Sequence, residues 1–189
     1  DGTLELRELP VFVRQDAIVS VDRAGALHVP ALVDRWDTHP ELVRHGVAAL
    51  LYGVLDLVVD SHLEAVDALA DQVDRMEDEL FAGDGREEDP TAMARRSFST
   101  RKALVRLRRV TAPMRELASG VMRVEENDQT PISPVLMPYF QDVYDHVLRA
   151  TEWTESLRDL INTILETNLT IQGNRLNVIT KKVTSWAAI

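Results

Sequence analysis

The sequence has no cysteine, which excludes disulfide bonds, thiol catalysis and metal sites built on thiolates. It also has no run of the roughly 18 apolar residues that a membrane-spanning helix needs. Basic residues number 21 against 31 acidic ones, so the net charge is −10. Because nucleic-acid binding requires a basic surface, this charge argues against nucleic acid as a partner. The 45% hydrophobic content is still sufficient for a core.

The sequence motifs of common enzymes are absent as well. No His-Glu-x-x-His, P-loop, Gly-x-Ser-x-Gly or Gly-x-Gly-x-x-Gly string occurs. No two histidines have the i, i+4 spacing of a helical zinc site, so each is predicted to be a surface or half-buried residue. Asp142 is predicted to pair with His146, and Asp145 with Arg149, both at i+4. We predict that the protein is not an enzyme.

The β-strand signals lie between residues 4 and 29. Gln15-Asp16 is a plausible hairpin turn, and Leu27 with Val29 suggests a third short strand. Pro30 then suits the first turn of a short helix through Trp36. We expect residues 1–38 to be the trailing part of an α/β domain. The β-branched residues of the first two strands are Val11, Val13, Ile18, Val19 and Val21.

From Pro40 onward the apolar residues recur at spacings of three and four, which predicts helices. The first helix has about 40 residues, and Gly83-Asp84-Gly85 breaks it. A second helix, with Asp89 as its cap and Pro90 in its first turn, completes an antiparallel hairpin over residues 39–123. Pro113 is expected to kink that helix or to end its regular part. Its predicted inward residues are Leu104, Leu107, Met114, Leu117 and Val121.

A proline-containing loop over residues 124–138 leads to a last helix from about Tyr139 to the end. At ~1.5 Å per residue this helix is ~75 Å long. The predicted fold is therefore mainly α with a small N-terminal β remnant (α+β), in which a long helical hairpin packs on a very long stalk helix (139–189). The stalk seam reads Phe140, Val143, Val147, Ala150, Leu157, Ile161, Ile164, Asn168, Ile171, Ile179 and Val183.

Charge divides the two hairpin helices. Seven carboxylates follow one stripe of the first helix at steps of three and four, and basic residues dominate the second. The simplest interpretation is an acidic helix packed beside a basic one, and the alternative is that some acids collect hydrated cations. The acids are Asp56, Asp60, Glu64, Asp67, Asp71, Asp74 and Asp78.

Polarity fades in mid-helix towards Ile189. Lys181 and Lys182 precede this stretch, and Trp186 lies within it. Paired lysines before an interfacial tryptophan are typical of a cytoplasmic helix that enters a membrane. We therefore expect a first transmembrane helix to begin at this point.

Three strings carry a resemblance to CorA-type magnesium channels that covers nearly the whole chain. The string from Leu50 to Asp56, continuing through Val59-Asp60, resembles the start of the family's long helix. Pro113-Met114-Arg115-Glu116 is similar to the kinked proline of its return helix. The most specific string is Pro138-Tyr139-Phe140-Gln141-Asp142-Val143-Tyr144-Asp145-His146, which is similar to the opening of the family's stalk helix. The family's Gly-Met-Asn signature would lie beyond Ile189.

The resemblance implies regulatory metal sites between neighbouring subunits. Asp142 and Asp56 match acids of such sites, and Asp60 and Asp145, in the same strings, are secondary candidates. Partner carboxylates are expected from a segment before Asp1. The ion is expected to be Mg²⁺, with Co²⁺, Ni²⁺ or Zn²⁺ as other divalent candidates.

The resemblance also implies a pore formed by the stalk helices. Asn177 resembles a polar ring at the cytosolic mouth of that pore, and Thr180 and Val183 follow on the same face. Thr180 departs from the bulky apolar residue expected in the narrow gate, which leaves Val183 as the gate candidate.

The implied function is that of a cytoplasmic regulatory and stalk domain of a homopentameric channel in the cell inner (plasma) membrane. Cytosolic Mg²⁺ bound between subunits would hold the channel closed. Two other interpretations remain open from the sequence. One is a zinc-transporting relative of the same fold, and the other is a soluble coiled-coil adaptor that binds partners through its charged stripes.

Overall fold

A computed structural model of the protein describes residues 4–23, 25, 27–81, 90–123 and 132–187. Two short strands are followed by five helices. The strands are β1 (Val11–Val13) and β2 (Ile18–Ser20), and the helices are α1 (Val29–Thr38), α2 (Pro40–Val43), α3 (Val47–Phe81), α4 (Pro90–Arg123) and α5 (Met137–Ala187). The expected helix break at Gly83-Asp84-Gly85, the cap at Asp89 and the loop residues 124–131 lie outside the described residues.

The strands form the predicted antiparallel hairpin. Phe12 pairs with Val19, and the amide of Arg14 donates to the carbonyl of Ala17 across the turn at 2.8 Å. The predicted third strand at Leu27 and Val29 is wrong, because Val29 is the first residue of α1. Pro30 has a φ that is compatible with a helix and suits the first turn, so this segment begins α1 and does not form a strand.

The first long helix starts later than its apolar pattern predicts. Residues from Pro40 form the short helix α2, and the chain then turns at Gly46 before α3 begins at Val47. Gly46 has a φ of 56°, in the left-handed region that favours glycine. This turn ends one helix and lets the next begin in a new direction.

Helix α5 supplies the surface on which α3 and α4 pack. The predicted stalk seam is confirmed from its start at Phe140 to Asn168, since its side chains there are buried or half-buried. One core cluster joins α5 to α3 and α4 through residues such as Val66, Leu104 and Ile161. A second cluster, around Val59 and Phe140, joins α5 to α2, α3 and the end of α4. The predicted class, mainly helical with a small sheet, is therefore confirmed.

The inward face of α4 differs from the prediction at one position. Leu104 and Leu107 are buried as expected, but Leu117 is 45% exposed and Ala118 is buried instead. The buried positions include Thr111, so the contact stripe follows steps of three, four and seven residues to Ala118. Helix α4 also continues through Pro113 to Arg123 instead of ending there.

The predicted packing of an acidic helix against a basic one forms few ion pairs. Among the described residues, the ion pair between α3 and α4 joins Glu79 to Arg96, with Oε1 and Nη1 2.9 Å apart. Glu79 is not part of the predicted acidic stripe. Asp56 and Asp60 pair instead with Arg35 of α1. The exposed acids of the stripe, such as Asp71, face solvent in the single chain.

Two leucines of α4 give a matched test of this packing. We expect Leu107→Ala to lower the free energy of unfolding by about 2–5 kcal/mol, because Leu107 is 1% exposed and its truncation leaves a cavity. Leu117→Ala on the same helix is the control, and its cost should stay below about 1 kcal/mol. Urea unfolding followed by circular dichroism measures both. Equal losses would contradict the described orientation of α4.

Candidate metal site

Two acids and a histidine meet where α1, α3 and α5 come together. Asp56 and Asp60 lie one turn apart on α3, and His146 lies in the third turn of α5. The second core cluster, with Val59 of α3 and Val143 of α5, fixes the two helices beside this point. Asp56 is 8% exposed, so its carboxylate is held in a largely water-excluded position.

The three side chains can offer ligand atoms to one cation. One ligand atom each from Asp56, Asp60 and His146 lies within 4.8 Å of the others. The Nδ1 atom of His146 is buried and has no hydrogen-bond partner, and it lies 3.8 Å from a carboxylate oxygen of Asp142. Two carboxylates suit Mg²⁺, which keeps several waters, and an added imidazole suits Co²⁺, Ni²⁺ or Zn²⁺. The donor set therefore fits a divalent cation.

A basic side chain already lies against both carboxylates. Arg35 of α1 contacts Asp56 through Nη1, and its Nη2 is 2.5 Å from Asp60. Helix α1 can approach α3 because position 53 is glycine. A Cβ atom there would lie 2.8 Å from the end of the Leu32 side chain. The guanidinium forms charge-assisted bonds to both acids, which balances part of their charge.

Tyr52 closes the other side of Asp56. Its hydroxyl donates to Asp56 at 3.5 Å, and its ring makes edge contacts with Tyr139 and Phe140 at centroid distances of 5.3 and 6.1 Å. Burial raises the pKa of Tyr52, Arg35 opposes that rise, and Asp142 adds to it. The phenol therefore stays protonated at neutral pH and remains a hydrogen-bond donor to Asp56.

The structure brings together only part of the predicted metal set. Asp56 and Asp60 belong to the three-donor group, whereas Asp142 lies one turn before His146 with 60% of its side chain exposed. Asp142 contacts His146 as predicted. Asp145 is exposed and accepts a hydrogen bond from Gln141 instead of making the predicted pair with Arg149.

The predicted pore residues lie far along α5 from the metal site. Asn177, Thr180 and Val183 are all exposed in the single chain, and the Thr180 hydroxyl donates to the carbonyl of Leu176 at 2.9 Å. At ~1.5 Å per residue, Asn177 lies about 45 Å along the helix from His146. The two sets of residues can therefore influence one another only through the helix or its neighbours.

Two members of the site, His146 and Arg35, are difficult to identify from sequence patterns. The sequence predicts His146 to be a surface or half-buried histidine paired with Asp142, and the i+4 spacing of those two residues is the available signal. No sequence pattern links Arg35 to this site, because Arg35 lies 21 residues before Asp56 and on another helix. A contact of that kind depends on tertiary packing.

A separate apolar cavity of about 820 Å³ lies between the N-terminal segment, α3 and α4. Its lining includes Leu4, Val54, Leu107 and His62. Burial lowers the pKa of His62, so this imidazole is neutral at pH 7. Its lining residues form no catalytic constellation of the kind that hydrolases or transferases require.

None of the helices in the described ranges combines the length and the apolar character that crossing a bilayer demands.

Helices α3 and α4 packed on the long helix α5, with Asp56, Asp60 and His146 at one junction, define a mainly helical protein built around one central helix. Residues 2–189 match the family described as CorA-like Mg²⁺ transporter protein. The chain belongs to this family.

Curated relatives agree with this assignment. The chain is 32% identical over 141 residues to the cobalt/magnesium transport protein CorA of Thermotoga maritima, a match that covers 74% of this chain and 38% of the relative. It is 25% identical over 190 residues to the putative metal ion transporter YfjQ of Bacillus subtilis, covering 99% of this chain and 56% of the relative. The chain therefore spans about two fifths to just over half of these relatives.

A solved structure supports the fold. The soluble domain of CorA from Methanocaldococcus jannaschii superimposes with a TM-score of 0.62 at 19% identity, over 86% of this chain and 62% of that one. At this identity, the likeness bears on the fold alone.

Proposed function

We propose that this chain is the cytoplasmic regulatory and stalk domain of a divalent-cation channel, and that it senses cytosolic Mg²⁺. The observation that carries the proposal is the carboxylate pair Asp56 and Asp60 with the unpartnered Nδ1 of His146, in a chain whose family match spans residues 2–189. The channel is proposed to lie in the cell inner (plasma) membrane, with this part on the cytoplasmic side.

Two kinds of acid contribute to the proposed sensor. Asp56 is buried inside the chain, and Asp60 is beside it. Asp142 is exposed and can face a neighbouring subunit. Acids that meet across a subunit boundary repel one another until a dication lies between them. Binding then favours the quaternary arrangement in which they are close, and loss of Mg²⁺ releases it. Asp145 remains a secondary candidate for the same exposed surface.

The identity of the ion is proposed from ligand chemistry and from the relatives. Oxygen ligands favour Mg²⁺, and His146 adds a nitrogen that Co²⁺, Ni²⁺ and Zn²⁺ accept readily. Two curated relatives are named as cobalt/magnesium transport proteins. Zinc transport by the same fold is the second candidate, since the imidazole favours it. Family membership speaks against a coiled-coil adaptor.

We also propose that α5 assembles with copies of itself, as a homopentamer in the whole channel. The large apolar side chains between Leu176 and Trp186 are exposed in the single chain. Val178 is 53% exposed and Ile179 is 56% exposed. Burial of such residues between identical helices would leave Asn177, Thr180 and Val183 on the face that lines the pore.

Divalent-cation binding to the 189-residue chain tests the sensor. In isothermal titration with MgCl₂ and CoCl₂, we expect Asp56→Asn and Asp60→Asn each to weaken binding about tenfold or more, because each removes a charged ligand. Asp71→Asn is the matched control, since it removes the same charge from an exposed position on the same helix. If all three variants lost affinity equally, binding would be diffuse and the proposed site would be wrong.

Sedimentation velocity in buffer with Mg²⁺ tests self-assembly through the end of α5. Val183→Glu should shift the chain to smaller species, because it places like charges in one apolar contact. Ser185→Glu is the control, on a different face of the same helical turn. Assembly that tolerates Val183→Glu as well as Ser185→Glu would rule out this interface.

A chimera tests regulation of transport. Residues 2–189 would replace the matching segment of the Bacillus subtilis relative, and Mg²⁺ uptake would be followed while cytosolic Mg²⁺ is varied. We expect uptake to be inhibited at high cytosolic Mg²⁺, and Asp142→Asn or Asp56→Asn to relieve that inhibition at least severalfold. Unchanged magnesium sensitivity in both variants would discard the sensing mechanism.

A further inference from the structure

The two acids of the proposed metal site, Asp56 and Asp60, both pair with the positively charged guanidinium of Arg35. Arg35 reaches both Asp56 and Asp60 with separate guanidinium nitrogens, and its side chain is 35% exposed. Two of the three donors of the metal set, Asp56 and Asp60, are therefore already paired with a positive charge from the protein. A divalent cation that uses these carboxylates has to weaken or replace the contacts of Arg35.

Arg35 belongs to an element that is separate from the metal donors. Helix α1 packs on α3 through Leu32, next to Gly53, and through Trp36, which contributes to the second core cluster. None of the buried core residues lies in α1. The helix is therefore held by half-buried contacts and by the two ion pairs of Arg35, so loss of those pairs weakens its attachment.

We infer that Arg35 is a tethered competitor of the divalent cation, which sets the affinity of the Asp56–Asp60 site and couples its occupancy to the docking of α1. This inference rests on the proposed function, because it assumes that the site takes a divalent cation. Arg35 is not a ligand in this scheme. It occupies the carboxylates when the metal is absent and releases them when the metal binds.

The competition has two consequences for recognition. First, the apparent affinity for any cation is reduced by the free energy of breaking the guanidinium contacts, so that the site fills only at high cation concentration. Second, a monovalent ion brings no more charge than Arg35 itself, whereas a dication brings twice as much. Exchange with Arg35 therefore favours divalent over monovalent cations.

The coupling is reciprocal. If metal binding weakens the docking of α1, then undocking of α1 strengthens metal binding by the same factor. Removing the guanidinium should thus have the effect of undocking α1, with both carboxylates left free for the metal. A purely structural role of Arg35 predicts the opposite, since a loosened site would bind metal less well.

Metal titrations of Arg35 variants test the competition. For Arg35→Gln in the full chain, we expect the affinity for Mg²⁺ and Mn²⁺ to rise about tenfold or more, because the two charge-assisted pairs with Asp56 and Asp60 no longer oppose binding. Arg35→Lys, which keeps the charge but loses the paired contacts, should raise it about twofold to fivefold. Arg44→Gln is the matched control, because Arg44 is exposed and the same charge is removed away from the site.

A fluorescence measurement tests the coupling to α1 separately. In a background with Trp153→Phe and Trp186→Phe, emission comes from Trp36, the neighbour of Arg35. We expect Mg²⁺ to shift this emission to longer wavelength as α1 is released and Trp36 meets water. In the Arg35→Gln variant the shifted emission should be present before metal is added, and Mg²⁺ should change it little.

The outcomes separate this inference from the proposed function. Unchanged or weaker metal affinity in Arg35→Gln overturns the competition, and Arg35→Lys decides the same question if the glutamine variant does not fold. If saturating Mg²⁺ leaves the emission wavelength of Trp36 unchanged, metal binding is not coupled to the docking of α1. If the metal binds and Asp56→Asn has no effect on it, the proposed site itself fails, whatever Arg35 does.

Discussion

The packing of one apolar seam of α5 against α3 and α4 is the constraint on which the rest of the structure depends. This seam buries Phe140, Val147 and Ile161 and places the first turns of α5 beside the first third of α3. His146 meets Asp56 and Asp60 only because the seam fixes the rotation of both helices. Charged pairs at the surface contribute little to this arrangement, since each is worth only about 0–1 kcal/mol.

Within this framework, the main electrostatic interaction is the compensation of the buried Asp56 carboxylate by Arg35. Most acids of α3 remain in water, where their mutual repulsion is weak, but Asp56 is buried and needs a compensating charge. The chain provides that charge from α1, through Arg35. We propose that this buried position has two alternative occupants, the Arg35 guanidinium and a divalent cation, and that the docking of α1 depends on which of them is bound.

The parts of the fold that follow from local patterns were predictable. A spacing of three and four residues identified the buried side of α5 correctly from Phe140 to Asn168, because helical periodicity is encoded along one segment, but Ile179 and Val183 of the same predicted seam are exposed in the single chain. Leu117 was assigned to the wrong side of α4, since Ala118 also fits the pattern and tertiary packing decides between them. At the start of α1, the helical preference of Pro30 prevails over the strand preference of the β-branched Val29. Asp56 and Asp60 came from family resemblance, whereas Arg35 depends on contact between distant segments, which no periodicity records.

The length of α5 beyond its packed region has a mechanical consequence. From Asn168 to Ala187 the helix extends ~28 Å at ~1.5 Å per residue, and its large apolar side chains from Leu176 to Trp186 are exposed. A tilt of roughly 5° of this part of the helix would displace its far end by about 2.5 Å. A small change of packing around Asn168 would thus be amplified along the helix towards Ala187.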